Sequence, residues 1–81
     1  MGEAKKWQSL EEIRHNIERH RQFVQMVLDK QLSHRELARI FSGGSINLIS
    51  EQNVRHLMRR GTEPLPTYAE MWMQEHEKHR V

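Results

Sequence analysis

The chain has 81 residues, no cysteine and a formal net charge of +2. A chain of this length forms one small domain that buries little more than about 60% of its unfolded surface, so partner contacts or dimerisation are expected to add stability. The lack of cysteine excludes a disulfide framework, a thiolate zinc site and a cysteine nucleophile. Because no apolar run approaches the roughly 18 residues of a membrane span and the N-terminus lacks a signal-type apolar segment, we expect a soluble, cytoplasmic protein.

The positive charge is concentrated in the middle of the chain. Residues 1–29 carry five basic and five acidic side chains, and residues 61–81 carry two basic and four acidic ones. Residues 30–60 carry only two acidic side chains and have a local charge of +4 from Lys30, Arg35, Arg39, Arg55, Arg59 and Arg60. These basic residues either simply solvate exposed helix faces or attract a polyanion such as nucleic acid.

The first predicted element is a long amphipathic helix from Ser9 to about Lys30. Ser9 and Glu12 form an S-x-x-E capping box, in which each side chain accepts a hydrogen bond from the backbone amide of the other residue. His20 and Arg21 interrupt the apolar register, so the segment is either one helix of about 20 residues or two pieces that bend there. We predict one helix. Its apolar stripe consists of Leu10, Ile13, Ile17, Val24, Val27 and Leu28.

A second, shorter helix is predicted from Ser33 to about Ser42. Ser33 and Glu36 form another capping box at its start. The small side chain of Ala38 on its inner face allows another helix to cross closely. The two glycines at 43–44 supply the backbone freedom that reverses the chain.

A third helix follows and is expected to end near Gly61, but its start is ambiguous. A start at Ser45 places Asn53 within the apolar face, whereas a start at Ser50 leaves only apolar residues inward. We predict the later start, which makes the preceding turn unusually long. The inward residues are then Val54, Leu57 and Met58, and an extended apolar plug in the turn consists of Ile46, Leu48 and Ile49.

The fourth predicted helix runs from Thr67 to about residue 80, with an acid, Glu70, three residues after its start. Met71 and Trp72 lie near its beginning and are expected either in the core or at a subunit interface. With four helix signals and almost no strand signal, the predicted fold is an all-α, small four-helix domain that contains a helix-turn-helix with an extended turn.

Residues 22–72 combine these signals in a recognisable order. A helix ends just before a capped S-x-x-E-L-A helix (QFVQMVLDKQLSHRELARIF), and a Ser-capped helix with an inward valine then leads to a glycine, prolines and another helix (SEQNVRHLMRRGTEPLPTYAEMW). This order resembles the helix-turn-helix domains of the phage repressor and Cro type. The turn GGSINLI is longer than that family requires, and so is the first helix at its N-terminal end. A third helix starting at Ser45 is instead similar to the tryptophan-repressor arrangement.

The resemblance implies a sequence-specific DNA-binding protein, a small transcriptional regulator of phage or plasmid type that binds double-stranded DNA. A reader helix lies in the major groove, where its N-terminal side chains reach base edges. Gln52 and Asn53 offer paired donors and acceptors to adenine, and Arg55 or His56 can reach guanine or phosphate. The simpler interpretation is that Gln52 and Asn53 only solvate an exposed helix start.

The remaining predicted DNA-binding residues are expected to contact phosphates and to orient the protein. One group belongs to the third helix, where the free amides at its start can also accept a phosphate: Ser50, Arg59 and Arg60. The other group flanks the second helix: Lys30, His34, Arg35 and Arg39.

Other functions have weaker support in the sequence. Six histidines suggest a metal site, but no set supplies four convergent ligands with zinc spacing, so we expect no metal and no cofactor. No nucleophile, base and orienting group form a known catalytic arrangement, so we do not expect an enzyme. The alternative function is a helical protein-interaction module, a small adaptor or inhibitor that uses the first and last helices. For the DNA-binding function we predict a homodimer formed through one of these helices, with Met71 and Trp72 as interface candidates.

Overall fold

The computed structural model describes residues 9–44 and 48–78, and within these ranges it contains four α-helices and no β-strand. The helices are α1 (Leu10–Asp29), α2 (His34–Phe41), α3 (Glu51–Arg59) and α4 (Thr67–Lys78). The prediction of an all-α four-helix domain is confirmed, and α1 is one continuous helix. No helix in the described ranges is both long and apolar enough to cross a membrane. The predicted end of α4 near residue 80 lies outside the described residues.

Side-chain caps define the start of the first three helices. The Ser9 hydroxyl accepts the Glu12 amide at 3.1 Å while the Ser9 amide donates to the Glu12 carboxylate at 3.2 Å. Ser33 and Glu36 repeat this reciprocal pair with the same two distances, 3.1 and 3.2 Å. The Ser50 hydroxyl accepts the Asn53 amide at 3.1 Å, which confirms the later start of α3. Each such cap stabilises its helix by roughly 1 kcal/mol.

Helix α4 starts at Thr67 as predicted, but a backbone carbonyl accepts its first amides. The Pro66 carbonyl accepts hydrogen bonds from the Ala69 and Glu70 amides, both at 3.0 Å. The Glu70 carboxylate instead accepts a hydrogen bond from Arg19 of α1. The acid at the fourth position of this helix therefore joins α4 to α1.

The four helices enclose one hydrophobic core, in which α2 packs against α3 and α1 packs against α4. Three aromatic rings pack against one another here. The ring centroid of Phe41 lies 6.2 Å from that of Phe23 and 6.0 Å from that of Trp72, and the Phe23 and Trp72 centroids are 5.9 Å apart. Full burial of an aromatic side chain such as Phe23 stabilises the fold by about 2 to 3 kcal/mol. The buried apolar residues are Phe23, Val27, Leu37, Ala38, Val54, Leu57, Ala69 and Met73.

The inner face of α1 differs from the predicted stripe. Its buried residues are Asn16, Phe23 and Val27, whereas Leu10, Ile17 and Leu28 of the predicted stripe are exposed. The end of α3 packs on this side of α1, and its carbonyl groups need donors that apolar residues cannot supply. Polar residues of α1 therefore face α3, and the apolar stripe is rotated towards solvent.

The predicted apolar plug before α3 is wrong. Leu48 is exposed and only Ile49 is half-buried, because the Ser42 hydroxyl accepts the Ile49 amide at 2.9 Å and holds that residue against α2. Ile46, the other residue of the predicted plug, lies outside the described residues. Helix α3 ends at Arg59, close to Gly61 as predicted, and the chain leaves the helix in an extended conformation at Arg60 (φ −69°, ψ 152°).

Left-handed backbone occurs elsewhere in the described ranges. Gly43 (φ 65°) and Gly44 (φ 81°) adopt it directly after α2, as predicted for the chain reversal. Gln31 (φ 55°) adopts it after α1, a position for which the sequence gives no turn signal. Its amide donates to the Leu28 carbonyl at 3.0 Å, which closes the turn between α1 and α2.

Candidate nucleic-acid interface

Helix α3 has one face in the core and one face in solvent. Val54 and Leu57 are buried, as predicted for the inward side of this helix. At 3.6 residues per turn, Gln52, His56 and Arg59 share the opposite face, and all three are exposed. The exposed residues Asn53 and Arg55 lie on the two flanks of this face. We call this set of five residues, Gln52, Asn53, Arg55, His56 and Arg59, the α3 outer face.

The start of α3 is open to a ligand. The Ser50 hydroxyl is occupied by the Asn53 amide, but the amides of Glu51 and Gln52 precede the first acceptor available within the helix. Free amides at a helix start favour an anion, because they carry partial positive charge. The Glu51 carboxylate in the first turn already offsets part of this positive charge.

A groove of about 300 Å³ runs between α2 and the start of α3. Arg35 and Arg39 line its α2 side one turn apart, and Ser50 and Glu51 line its α3 side. The groove therefore holds two guanidinium groups and one carboxylate. The groove places Arg35 and Arg39 of α2 next to the first residues of α3.

The structure divides the basic residues into paired and unpaired groups. Arg55 lies 3.7 Å from Glu51, and Arg60 is paired with Glu63. Arg35, Arg39 and Arg59 form no ion pair with any residue in the described ranges. These three side chains are exposed, and their charge is consequently available to an external anion.

Two other predicted contact residues are placed differently. Lys30 lines a second groove, of about 480 Å³, between α1 and α4, together with His76 and Glu77. His34 is half-buried at the first position of α2. Neither residue lines the groove between α2 and α3, so Lys30 and His34 do not share that groove with Arg35 and Arg39.

Two residues that the sequence analysis did not select hold the end of α3. A ring nitrogen of His20, Nε2, lies 3.0 Å from the Leu57 carbonyl oxygen, and Asn16 Nδ2 donates to the Thr62 carbonyl at 3.1 Å. Both contacts attach the C-terminal end of α3 to the middle of α1. A polar residue within an apolar stripe looks like an interruption in the sequence, and only the tertiary structure shows its carbonyl partner.

The two interface candidates on α4 have different surroundings. Met71 is 62% exposed, whereas Trp72 is half-buried and packs against Phe23, Phe41 and, at 4.7 Å between ring centroids, His76. Trp72 therefore contributes to the core of a single chain. Of the two side chains, Met71 is the more accessible to another molecule.

An ion-pair cluster joins α4 to α1. Arg19 donates from Nε to Glu70 at 2.6 Å and from Nη1 to Glu77 at 3.0 Å. Burial alone lowers the pKa of Arg19, but the hydrogen bonds and charges of Glu77 and Glu70 outweigh it and raise that pKa above its usual value. The cluster fixes α4 against α1.

In the described part of the chain, no group of three or more histidine and carboxylate side chains is placed to hold a metal ion. No protein-family model matches the sequence, and no curated protein or solved structure is significantly similar to it.

Proposed function

We propose that the protein is a sequence-specific DNA-binding protein, a small transcriptional regulator of phage or plasmid type, in which α2 and α3 act as a helix-turn-helix with an extended turn. The α3 outer face carries this proposal. It presents donors and acceptors to solvent on a short helix that is fixed to the core by its opposite face. A helix anchored in this way can enter a major groove without losing its own packing.

In this proposal the first turns of α3 read the bases. Gln52 and His56 lie one turn apart on the outer face, and Asn53 lies on its flank near the helix start. An amide side chain can donate to and accept from the adenine edge at the same time, which distinguishes adenine from the other bases. The N-terminal position of Gln52 and Asn53 suits base contact, since that end of a reader helix is the one that approaches the groove floor.

Arginines beside these residues bind the phosphates. Arg35 and Arg39 flank the start of α3 from α2, and Arg59 lies near the opposite end of α3. Because none of the three has an ion-pair partner in the described ranges, no internal contact must be broken when it binds a phosphate. Contacts of this type set affinity and orientation, not sequence preference.

We also propose that the regulator acts as a homodimer. One α3 contacts a single half-site, and a two-fold pair reads two half-sites about one helical turn of DNA apart. Exposed apolar side chains on α1 and α4 offer surfaces for this association. The same side chains favour a second candidate function, a helical protein-interaction module that uses α1 and α4.

Selection of bound duplexes from a random DNA pool tests the proposed function. We expect enrichment of a sequence with two-fold symmetry, and an affinity for it that exceeds the affinity for random duplex by at least about 1,000-fold. Binding must also weaken steeply as salt rises. A pool that stays random after selection, with no salt-sensitive binding, contradicts DNA recognition and favours the interaction module.

A further inference from the structure

An apolar stripe on α1 lies outside the core. Leu10 is 68% exposed, Leu28 61% and Ile17 39%, although each belongs to a residue type that is usually buried. At 100° per residue the three lie within about 20° of one line along the helix, roughly 110° around from the buried face of α1. We call this line, Leu10, Ile17 and Leu28, the α1 stripe.

We propose that the α1 stripe is the contact surface between two copies of this chain, which pack with their α1 helices antiparallel and a two-fold axis that crosses the stripe at the level of residue 19. This inference identifies the surface of the homodimer proposed above and does not depend on DNA binding. That level is midway along the helix between Leu10 and Leu28, so the antiparallel pair places each leucine against the other leucine of the second copy. An isologous contact requires this kind of self-complementary pattern.

The charges next to the stripe favour an antiparallel over a parallel pair. Arg21 lies only about 20° around the helix from Leu10 and Leu28, and Arg14 lies about 40° away on the same side. In a parallel pair each arginine faces its own copy, which is unfavourable. In the antiparallel pair Arg14 faces Val24 and Arg21 faces Ile17 of the second copy, so that the aliphatic part of each arginine covers an apolar side chain.

Glu18 completes this charge pattern near the axis. It already pairs with Arg21 within one chain, at 3.5 Å. In the antiparallel pair the Arg21 guanidinium of each copy comes close to Glu18 of the other, so the pair can be shared across the axis. Two such exposed contacts set the orientation of the helices more than they add affinity.

The size of the stripe indicates a weak dimer. Leu28 follows Leu10 by eighteen residues, which corresponds to about 27 Å along the helix axis. One helix face of this length buries less than the roughly 1,200 Å² of total surface that stable interfaces require. We therefore expect a dissociation constant in the micromolar range, low enough for a DNA site with two half-sites to complete the assembly.

Sedimentation equilibrium on wild-type protein and exposed-residue variants tests this surface. Leu10→Ala and Leu28→Ala are each expected to raise the dissociation constant by at least roughly tenfold, because the two-fold symmetry removes two leucine side chains from the contact. Leu48→Ala is the matched control, since this leucine is 71% exposed but lies outside α1. A wild-type protein that stays monomeric at about 200 µM, a concentration roughly 100-fold above a low-micromolar dissociation constant, overturns the dimer itself. A dimer weakened by Met71→Ala and unaffected by the leucine variants overturns the α1 stripe alone.

Disulfide trapping tests the orientation of the two helices. Because the chain has no native cysteine, every disulfide that forms joins introduced residues. Under mild oxidation a mixture of Leu10→Cys and Leu28→Cys proteins is expected to form covalent dimers, whereas either protein alone is not. The two copies of one introduced cysteine lie at opposite ends of the pair, about 27 Å apart, and a disulfide spans only about 6 Å between Cα atoms. Efficient cross-linking of Leu10→Cys protein alone overturns the antiparallel arrangement. Leu48→Cys protein measures the background from random collision.

Discussion

Replacing Arg35 and Arg39 together with alanine is expected to weaken binding to every DNA sequence by a similar factor. Three arginines around α3, namely Arg35, Arg39 and Arg59, form no ion pair within residues 9–44 and 48–78. If each binds one phosphate, each bound protomer contributes about −2.7 in the wild type and about −0.9 in the double variant to the slope of log affinity against log salt concentration. Between 50 and 200 mM salt, the contribution of each protomer to affinity then falls about 40-fold for the wild type and only about 3.5-fold for the variant.

Fluorescence anisotropy with a labelled duplex, titrated at four or more salt concentrations, measures these slopes directly. Lys78→Ala is a control for the loss of one positive charge away from the proposed interface, because Lys78 is exposed at the C-terminal end of α4. Arg35 and Arg39 are themselves exposed, so the double variant should keep the wild-type melting temperature. An unchanged salt slope in the folded double variant would refute the assignment of the α2 arginines to phosphate contacts.

Further predictions concern individual positions. Gln52→Ala and Asn53→Ala should each weaken the free energy of binding to the selected site by about 1 to 3 kcal/mol and change binding to random duplex little, as measured by the same titration. Equal losses of affinity for both DNAs argue against base reading. Glu51→Gln should tighten binding to all DNA, since it removes a carboxylate from the groove between α2 and α3; weaker binding contradicts that placement. Arg59→Ala should lower the salt slope by about 1 without changing sequence preference. Trp72→Ala should destabilise the monomer by about 3 kcal/mol in urea unfolding, and a fully stable variant contradicts its core role.

Helix starts were predictable from sequence because the signal that sets them is local. A serine hydroxyl satisfies an amide only three residues away, so Ser9, Ser33 and Ser50 identify three helix starts without tertiary information. The same local chemistry places Gln52 and Asn53 in the first turn of α3, and the inward direction of Val54 then determines which residues form the outer face.

The packing of α1 was not predictable in the same way. Hydrophobic spacing selected a stripe of six apolar residues, of which Val27 is buried but Leu10, Ile17 and Leu28 are exposed, because the face of α1 next to the end of α3 carries Asn16 and His20. Those polar residues are satisfied by carbonyl groups 37 and 46 positions later in the chain, and no local pattern contains that information. The pairing of Arg55 and Arg60 with nearby acids likewise depends on side-chain geometry, and it changes which basic residues are available to DNA.

The most direct test of the central claim is the ratio of affinities for a selected duplex and a random duplex, measured at 150 mM salt for wild-type protein and for Gln52→Ala. If the α3 outer face reads bases, the wild-type ratio is at least about 1,000 and the variant ratio is lower by roughly 5- to 150-fold, with affinity for random duplex preserved. A wild-type ratio near 1, or a ratio that Gln52→Ala leaves unchanged, contradicts sequence recognition by this face.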